Sequence, residues 1–169
     1  MGGTGYNPHD VPTNLIPALA QYGLTVPMWF CPTRSGEFAN IDKWCQTNLS
    51  HGLQHTDDLN VYYRRIYGYF SIIEGHNWWV PRTSGAYKWP ANTNSPPEPP
   101  YWPDGMDAPQ AATMPILTDR CYDLNNVAYG HAFNGRVDSI NILFGDGHAE
   151  TRGRDKIFMR FQGNANSYY

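Results

Sequence analysis

One segment near the end of the chain restricts the fold more than any other. Residues 139–144 (Ser-Ile-Asn-Ile-Leu-Phe) and 148–152 (His-Ala-Glu-Thr-Arg) each have the composition of a β-strand, and Gly145-Asp146-Gly147 separates them. An Asp-Gly pair between two strands favours a two-residue hairpin turn in which both turn residues have positive φ. The sequence therefore predicts an antiparallel β-ribbon, with Asp146 and Gly147 as its turn residues.

Two helices are predicted in the first third of the chain. Apolar residues recur at helical spacing within 7–23, where Thr13 or Asn14 is a suitable N-cap and Gly23 a suitable C-terminal stop. A second apolar face predicts a helix over 38–50.

Strands are predicted for most of the remaining chain. Aromatic and β-branched residues favour a strand over 61–73, which a turn at 74–75 would join in a hairpin to a strand over 78–80. Shorter strands are predicted over 26–32 and 114–119. Helices followed by antiparallel strands indicate an α+β fold, in which N-terminal helical segments pack on an antiparallel sheet.

A long loop interrupts the predicted strands. Residues 82–110 are rich in Pro, Asn, Ser and Gly and contain a polyproline run at 96–100. A loop of this length is either functional or mobile, and its Tyr and Trp residues indicate that it packs on the rest of the protein. At 169 residues and without an internal repeat, the sequence predicts one domain over 1–169 that includes this loop.

The composition indicates an extracytoplasmic protein. Charged residues make up only 16% of the chain and aromatic residues 15%, a balance that suits a loop-rich extracellular fold. The net charge of −3 and the lack of a basic stripe argue against nucleic acid as a partner. No apolar run is long enough to span a bilayer, so we expect no membrane contact from this segment. Because no signal peptide opens the chain, we expect a leader or anchor helix upstream of Met1.

Three cysteines leave two alternatives open. Cys31, Cys45 and Cys121 have none of the spacings of a zinc site. In an oxidising compartment we expect two of them to form a disulfide and one to remain a thiol. Three reduced, buried cysteines are the alternative, and the sequence does not select which two would pair.

The C-terminal ribbon is part of a wider pattern. Gly130-His131, followed by Ile140-Asn-Ile-Leu-Phe-Gly-Asp-Gly-His148, resembles the C-terminal signature of bacterial prepilin-type proteins, which consists of a His, nine residues and an Asp-Gly pair (H-X9-DG). Leu15-Ile-Pro-Ala-Leu, Phe30-Cys31-Pro32 and Met114-Pro-Ile-Leu-Thr-Asp119 resemble further pieces of this family in the same order. Fourteen residues separate His131 from Asp146 here, as if 133–138 contained an insertion, and the family's N-terminal processing site and apolar helix are absent from this sequence.

The resemblance implies a structural role and no catalytic activity. Relatives of this family include the pseudopilins of type II secretion and the type IV pilins, whose globular heads pack an antiparallel sheet on a helix. It implies a pilin-like head, displayed at the cell surface or in the periplasm, whose partners are other pilin or pseudopilin subunits or proteins of a secretion system.

Two other functions remain open. Trp78, Trp79, Trp89 and Trp102 could stack on sugar rings in a secreted carbohydrate-binding or adhesion module with surface glycans as partners, although most such rings serve as core or loop anchors. Neighbouring Trp78 and Trp79 would face opposite sides of a strand.

An extracellular hydrolase is the third alternative. The possible nucleophiles Ser71 and Ser139 lack a nucleophile elbow, and Cys31 has no base near it in the sequence. No motif selects a pair of carboxylates among Glu37, Glu74, Glu98 and Glu150.

Two sets of residues could bind a metal ion, although we expect no cofactor. His131, Asp146 and His148 offer donors for a transition metal, but the favoured interpretation of this set is a structural turn. A second set offers oxygen atoms suited to calcium but lacks the spacing of a calcium loop: Asp119, Asp123, Asn125, Asn126 and Asp138. Its favoured interpretation is a solvated loop.

Overall fold

The computed structural model describes residues 9–12, 15–67, 71–73, 76–79, 106–109, 111–126, 128–161 and 167–169. Its helices are α1 (Leu15–Ala20), α2 (Ser35–Asn48) and α3 (Thr56–Tyr67), and 3-10 turns occupy Val26–Trp29, Pro32–Arg34 and Arg154–Lys156. Its strands are β1 (Asp10–Pro12), β2 (Ser71–Ile73), β3 (His76–Trp78), β4 (Pro115–Asp119), β5 (His131–Phe133), β6 (Arg136–Phe144), β7 (Ala149–Gly153), β8 (Met159–Phe161) and β9 (Ser167–Tyr168). The predicted loop over 82–110 lies outside the described residues, apart from 106–109.

The main sheet has five strands, and β6 is its longest. This strand pairs antiparallel with β4, β5 and β7, and β4 pairs with β3. Two short antiparallel pairs, β1 with β2 and β8 with β9, lie outside this sheet. Helices that precede an antiparallel sheet confirm the predicted α+β class, and no described helix is long and apolar enough to cross a bilayer.

One face of the sheet carries the larger apolar strand residues, which we call the sheet core. Val137, Ile140, Ile142 and Phe144 of β6 are all buried on this face. The last three alternate along the strand, and Val137 joins them because the pairing of β6 with β5 shifts register between Val137 and Ser139. Trp79 is fully buried in the same core, and its indole N–H donates to the Thr118 hydroxyl at 2.8 Å.

A second apolar cluster, the helical layer, is formed by the three helices and the first 3-10 turn. Its buried members are Ile16, Val26, Trp29, Phe30, Ile41, Cys45, Leu53 and Leu59. Trp78 of β3 packs against this cluster, with its ring centroid 5.8 Å from that of Trp29. The neighbouring tryptophans therefore contact different clusters, as the alternation of a strand predicts.

An ionic network joins the two parts. The buried Arg34 donates to the Ala128 carbonyl at 3.2 Å and lies 3.5 Å from the Glu37 carboxylate. The same oxygen of Glu37 accepts a hydrogen bond from Arg120 at 2.7 Å. Because Glu37 lies on α2 and Arg120 directly follows β4, this network fixes the second helix relative to the sheet.

The helix predictions are correct in position. The apolar pattern within 7–23 forms α1, and Gly23, with a φ of 89°, lies in the turn that follows. The helix predicted over 38–50 is α2, which begins at Ser35. The proposed caps at 13–14 lie outside the described residues.

The strand predicted over 61–73 is wrong in its first half. Residues up to Tyr67 form α3, because local interactions at the helix ends outweigh the β-propensity of the aromatic residues. Asp58 lies in the first turn and accepts the backbone N–H groups of Gln54 and His55 at 3.1 and 2.8 Å. Acidic residues in the first turn and Arg64 and Arg65 in the last also match the helix dipole.

Two further strand predictions fail. The segment over 26–32 forms 3-10 turns, and each of the two turns begins with a proline in its first two positions. The expected hairpin across 74–75 is also wrong, because β2 pairs with β1 whereas β3 pairs with β4. The strand over 114–119 and the ribbon over 139–152 are confirmed as β4 and as β6 with β7.

The sheet core predicts a large difference between two matched substitutions. Ile140→Ala removes a fully buried side chain from β6 and should lower the free energy of unfolding by about 2–5 kcal/mol. Ile66→Ala on α3, where the side chain is 46% exposed, should change it by less than about 0.5 kcal/mol. Urea denaturation followed by tryptophan fluorescence measures both. Equal losses in the two variants would contradict this assignment of the core.

Candidate functional site

The C-terminal turn joins β6 to β7 through residues 145–147. The Gly147 N–H donates to the Phe144 carbonyl at 3.0 Å, and the Phe144 N–H donates to the His148 carbonyl at 2.9 Å. Of the predicted turn pair only Gly147 has positive φ, at 92°. The two-residue turn predicted for Asp146-Gly147 is therefore wrong, and the observed loop is the longer kind that ends in a left-handed glycine.

Asp146 and His148 stabilise this turn together. The Asp146 Oδ1 atom accepts the His148 backbone N–H at 3.0 Å and lies 2.6 Å from its Nδ1 atom. The His148 ring stacks on Phe144 with 4.3 Å between centroids and 7° between planes. The hydrogen bond from the His148 backbone, followed by that from its ring, lowers the pKa of Asp146. Both side chains thus shape the β-ribbon, as predicted.

His131 does not join them. It pairs with Ser139 in the β5–β6 ladder, and the rest of β6 from Ser139 to Phe144 spans about 17 Å. The predicted transition-metal set of His131, Asp146 and His148 is therefore not formed, because the length of β6 separates its members.

His131 instead meets Asp119, twelve positions before it, and Cys31, one hundred positions before it. One donor atom from each of Cys31, Asp119 and His131 lies within 4.8 Å of the other two, and the described residues contain no other such group of three. The His131 Nε2 atom is 3.3 Å from the Asp119 Oδ2 atom. We call these three residues the junction cluster, since Cys31 belongs to the 3-10 segment beside the helical layer and the other two to the sheet.

The strand register places Asp119 and its neighbours on one face. Leu117 pairs with Leu143, so Asp119, two residues further along β4, lies beside Asn141 on the face opposite the sheet core. The Asn141 backbone N–H donates to Asp119 Oδ2 at 2.7 Å. Asp119 is only 4% exposed, which makes it a buried carboxylate.

Asn141 also fixes the His131 ring. The Thr151 hydroxyl donates to Asn141 Oδ1 at 2.8 Å, which directs the side-chain NH₂ of Asn141 towards His131 Nε2 at 3.2 Å. An amide NH₂ only donates, so in this arrangement His131 Nε2 is an acceptor.

His76 stands next to the junction cluster. It pairs with Asp119 across β3 and β4, and its Nδ1 atom is 3.8 Å from Asp119 Oδ1. Burial lowers the pKa of His76, and the nearby Arg34 and Arg120 add to this effect, while Asp119 opposes it. His76 is therefore a neutral imidazole near pH 7.

Two cavities meet at Cys31 and His76. A groove of about 780 Å³ runs between the helical layer and the sheet and is lined mainly by apolar groups, among them Met28, Phe38 and Leu117. A smaller cavity of about 190 Å³ is lined by Cys31, His76, Asp119 and Asn141. The smaller cavity thus reaches Cys31 and Asp119, two members of the junction cluster.

The predicted calcium ligands do not form a site. Asp123 Oδ1 accepts the Asn125 backbone N–H at 2.8 Å, and Asn126 Oδ1 accepts the Ala128 backbone N–H at 2.9 Å. The Asn125 side chain accepts a hydrogen bond from Arg154. These oxygens close local turns, while Asp119 faces the junction cluster. Asp138 is exposed on β6.

The expected disulfide is wrong as well. Cys31, Cys45 and Cys121 are all buried free thiols. Cys45 lies in the helical layer and Cys121 in the sheet core, so packing separates them. Burial raises the pKa of both, that of Cys121 to about 12, which keeps these two thiols protonated.

The sequence interpretation missed His76 and the convergence of Cys31 with Asp119 and His131. Cys31 lies 45 positions before His76, 88 before Asp119 and 100 before His131, so no local motif reveals these contacts. One signal was present: the Cys-Pro piece, the Pro-Ile-Leu-Thr-Asp piece and the Gly-His piece of the prepilin-like pattern each contribute one residue to the junction cluster.

Comparisons with models of known protein families, with curated protein sequences and with solved structures found no match to this chain. Its function is therefore inferred from the sequence pattern and from the geometry described above.

The left-handed glycine predicts opposite effects for two Gly→Ala substitutions. Gly147→Ala should destabilise the protein by about 1–2 kcal/mol, because positive φ is unfavourable for alanine. A Cβ atom there would also lie 3.3 Å from Met106. Gly36→Ala, within α2 and with open space around it, should stabilise by about 0.5–1 kcal/mol. Chemical denaturation compares them, and a loss in the Gly36 variant as large as that in the Gly147 variant would refute the conformational explanation.

The turn also predicts a pH-dependent contribution from Asp146. Because folding lowers the pKa of this carboxyl group, its stabilising effect is present above its unfolded pKa and is lost as the pH falls through its folded pKa. Asp146→Asn should therefore be less stable than the parent protein at pH 7. The two should converge as the pH falls below about 4. Thermal unfolding from pH 7 to pH 2.5 tests this, and a difference that does not change with pH would contradict it.

Proposed function

We propose that this chain is a non-enzymatic structural subunit, the globular head of a pilin-like or pseudopilin-like protein of a surface or secretion filament. The observation that carries the proposal is the junction cluster. Three separate pieces of the prepilin-like pattern each contribute one residue to it, at the boundary between the helical layer and the sheet. A chance similarity between separate strands would not be expected to bring these three pieces together in space. Their contact therefore supports a fold shared with the prepilin-type proteins.

The layout of the chain supports the same proposal. Helices precede an antiparallel sheet, as in the heads of pilin-like proteins. The Asp-Gly part of the pattern is used for a turn, in which Asp146 bonds His148 and the imidazole stacks on Phe144. These polar residues stabilise a turn, and this use of them supports a structural subunit.

The carbohydrate-binding alternative gains no support from the described tryptophans. Trp79 is fully buried in the sheet core, and Trp78 packs on Trp29 of the helical layer. Neither ring is available to stack on a sugar. Trp89 and Trp102 lie outside the described residues.

One observation favours the hydrolase alternative as a second candidate. Cys31, which has no base near it in the sequence, lies in space beside His131 and Asp119. A thiol–imidazole–carboxylate triad uses one ring nitrogen for the thiol and the other for the carboxylate. Here the nitrogen nearest Asp119 is Nε2, which also accepts from Asn141, and Cys31 is only 1% exposed. This geometry suits fixed contacts better than nucleophilic attack.

The proposal predicts where the protein is found in producing cells. We expect antibodies against the head to detect the full protein in the sheared-filament or envelope-assembly fraction, cross-linked to other pilin-like subunits. Deletion of the cell's prepilin peptidase should remove it from that fraction. Recovery only as a free monomer, in amounts unaffected by the deletion, would contradict the proposal. Rapid labelling of Cys31 by an alkylating probe in the folded, metal-free protein would favour the hydrolase.

A further inference from the structure

We propose that the junction cluster binds a zinc ion through the Cys31 thiolate, an Asp119 carboxylate oxygen and the His131 Nε2 atom. This inference goes beyond the proposed structural role, which does not require a metal. Sulfur, nitrogen and oxygen donors of these types form zinc sites with bonds of about 2.0–2.3 Å, so donors of a tetrahedral site lie about 3.3–3.8 Å apart. The observed donors lie within 4.8 Å of one another, and Asp119 and His131 are already 3.3 Å apart. Side-chain shifts of about 1 Å would therefore complete the site.

The His131 Nε2 atom faces two groups of the site. It lies 3.2 Å from the Asn141 side-chain NH₂ and 3.3 Å from Asp119 Oδ2, and an imidazole nitrogen of this kind has one lone pair. A zinc ion bound to Nε2 would take the place of the Asn141 NH₂ at this lone pair and would also be bound by the adjacent carboxylate oxygen.

Burial strengthens this argument. Asp119 is 4% exposed and Cys31 is 1% exposed, and a buried carboxylate is costly unless a positive charge or several donors compensate it. The Asn141 backbone N–H donates to Asp119 Oδ2 at 2.7 Å, which stabilises the carboxylate without supplying a positive charge. A divalent ion would neutralise both the carboxylate and the Cys31 thiolate.

The surroundings provide what a zinc site needs beyond its ligands. The cavity of about 190 Å³ next to Cys31 and Asp119 has room for a water molecule in the fourth coordination position and for entry of the ion. The Asn141 backbone N–H donates to Asp119 and so orients one of the three ligands, as outer-shell partners do in metal sites.

The position of the site gives the ion a structural role. Cys31 belongs to the segment that leads into α2, whereas Asp119 and His131 end β4 and begin β5. Zinc would therefore cross-link the segment leading into α2 to the sheet. Since the binding energy of a metal at such a site adds to folding, zinc should stabilise the whole domain.

The test uses the folded chain, freed of metal by a chelator and then titrated with Zn²⁺ or Co²⁺. We expect about one equivalent of Zn²⁺ per chain by elemental analysis after dialysis. Co²⁺ should give the near-ultraviolet absorption of a thiolate–metal bond. At free Zn²⁺ about a hundredfold above Kd, the melting temperature should rise by about 5–10 °C.

Matched variants locate the site. Cys31→Ser and His131→Gln should each lose more zinc affinity than the about 10–100-fold that removal of an outer-shell contact costs. His148→Gln, a control on the exposed imidazole of the turn, should bind as the parent does. If Cys31→Ser does not fold, X-ray absorption spectroscopy of the zinc-loaded parent protein replaces that variant as the test. The spectrum should show one sulfur ligand on the zinc ion. Absence of binding, zinc without a sulfur ligand, or a loss of binding in His148→Gln instead of His131→Gln would each overturn the proposal.

Discussion

The helical segments cover the second face of the main sheet over β3 and β4, and the rest of the structure depends on this. Successive residues of a strand point in opposite directions, so in β3 Asn77 belongs to the side of the sheet core while His76 and Trp78 face the other side. In β4 and β6 the same alternation separates Thr118 and Ile142 from Asp119 and Asn141. Asp119 of β4 is therefore buried, whereas Asn141 of β6 is exposed and His131 is partly exposed. A buried carboxylate is stable only with polar partners, and Asn141 and His131 lie in contact with it.

The boundary between helices and sheet combines three kinds of contact. Trp78 and Trp29 supply apolar area, and Glu37 holds Arg34 and Arg120 in one ionic network. The junction cluster supplies the third, and it lies where the apolar groove ends. The ionic network includes Arg34, the last residue of the 3-10 turn Pro32–Arg34, and the junction cluster includes Cys31, the residue just before it. This short turn therefore sets the position of the helical layer. Strand geometry at 26–32, as predicted from the sequence, would not place Cys31 and Arg34 in this way.

The sequence predicted elements whose determinants are local. The ribbon of β6 and β7, strand β4 and helix α2 follow from short patterns of apolar residues and glycines. Helix α3 was missed because its aromatic residues favour strands, whereas Asp58 and the terminal arginines, acting through capping and the helix dipole, decide its state. The junction cluster was missed for a different reason. Asp119 and His131 meet through the register of β4, β5 and β6, and Cys31 reaches them from the segment that leads into α2. No local pattern encodes these contacts, so Asp119 and His131 were assigned to two separate sites.

The separation of fourteen residues between His131 and Asp146 has a structural explanation in the β5–β6 turn. Asn134 and Gly135 both have positive φ, at 48° and 76°, and Phe133 pairs with Arg136 across them, which makes a tight two-residue turn. The chain therefore runs out along β5 and returns along β6, so that His131 lies opposite Ser139. Residues added at this turn lengthen the sequence between His131 and Asp146 without moving His131 away from Asp119. Since His131 acts at one end of β6 and Asp146 at the other, their separation in sequence can vary while each keeps its own contacts.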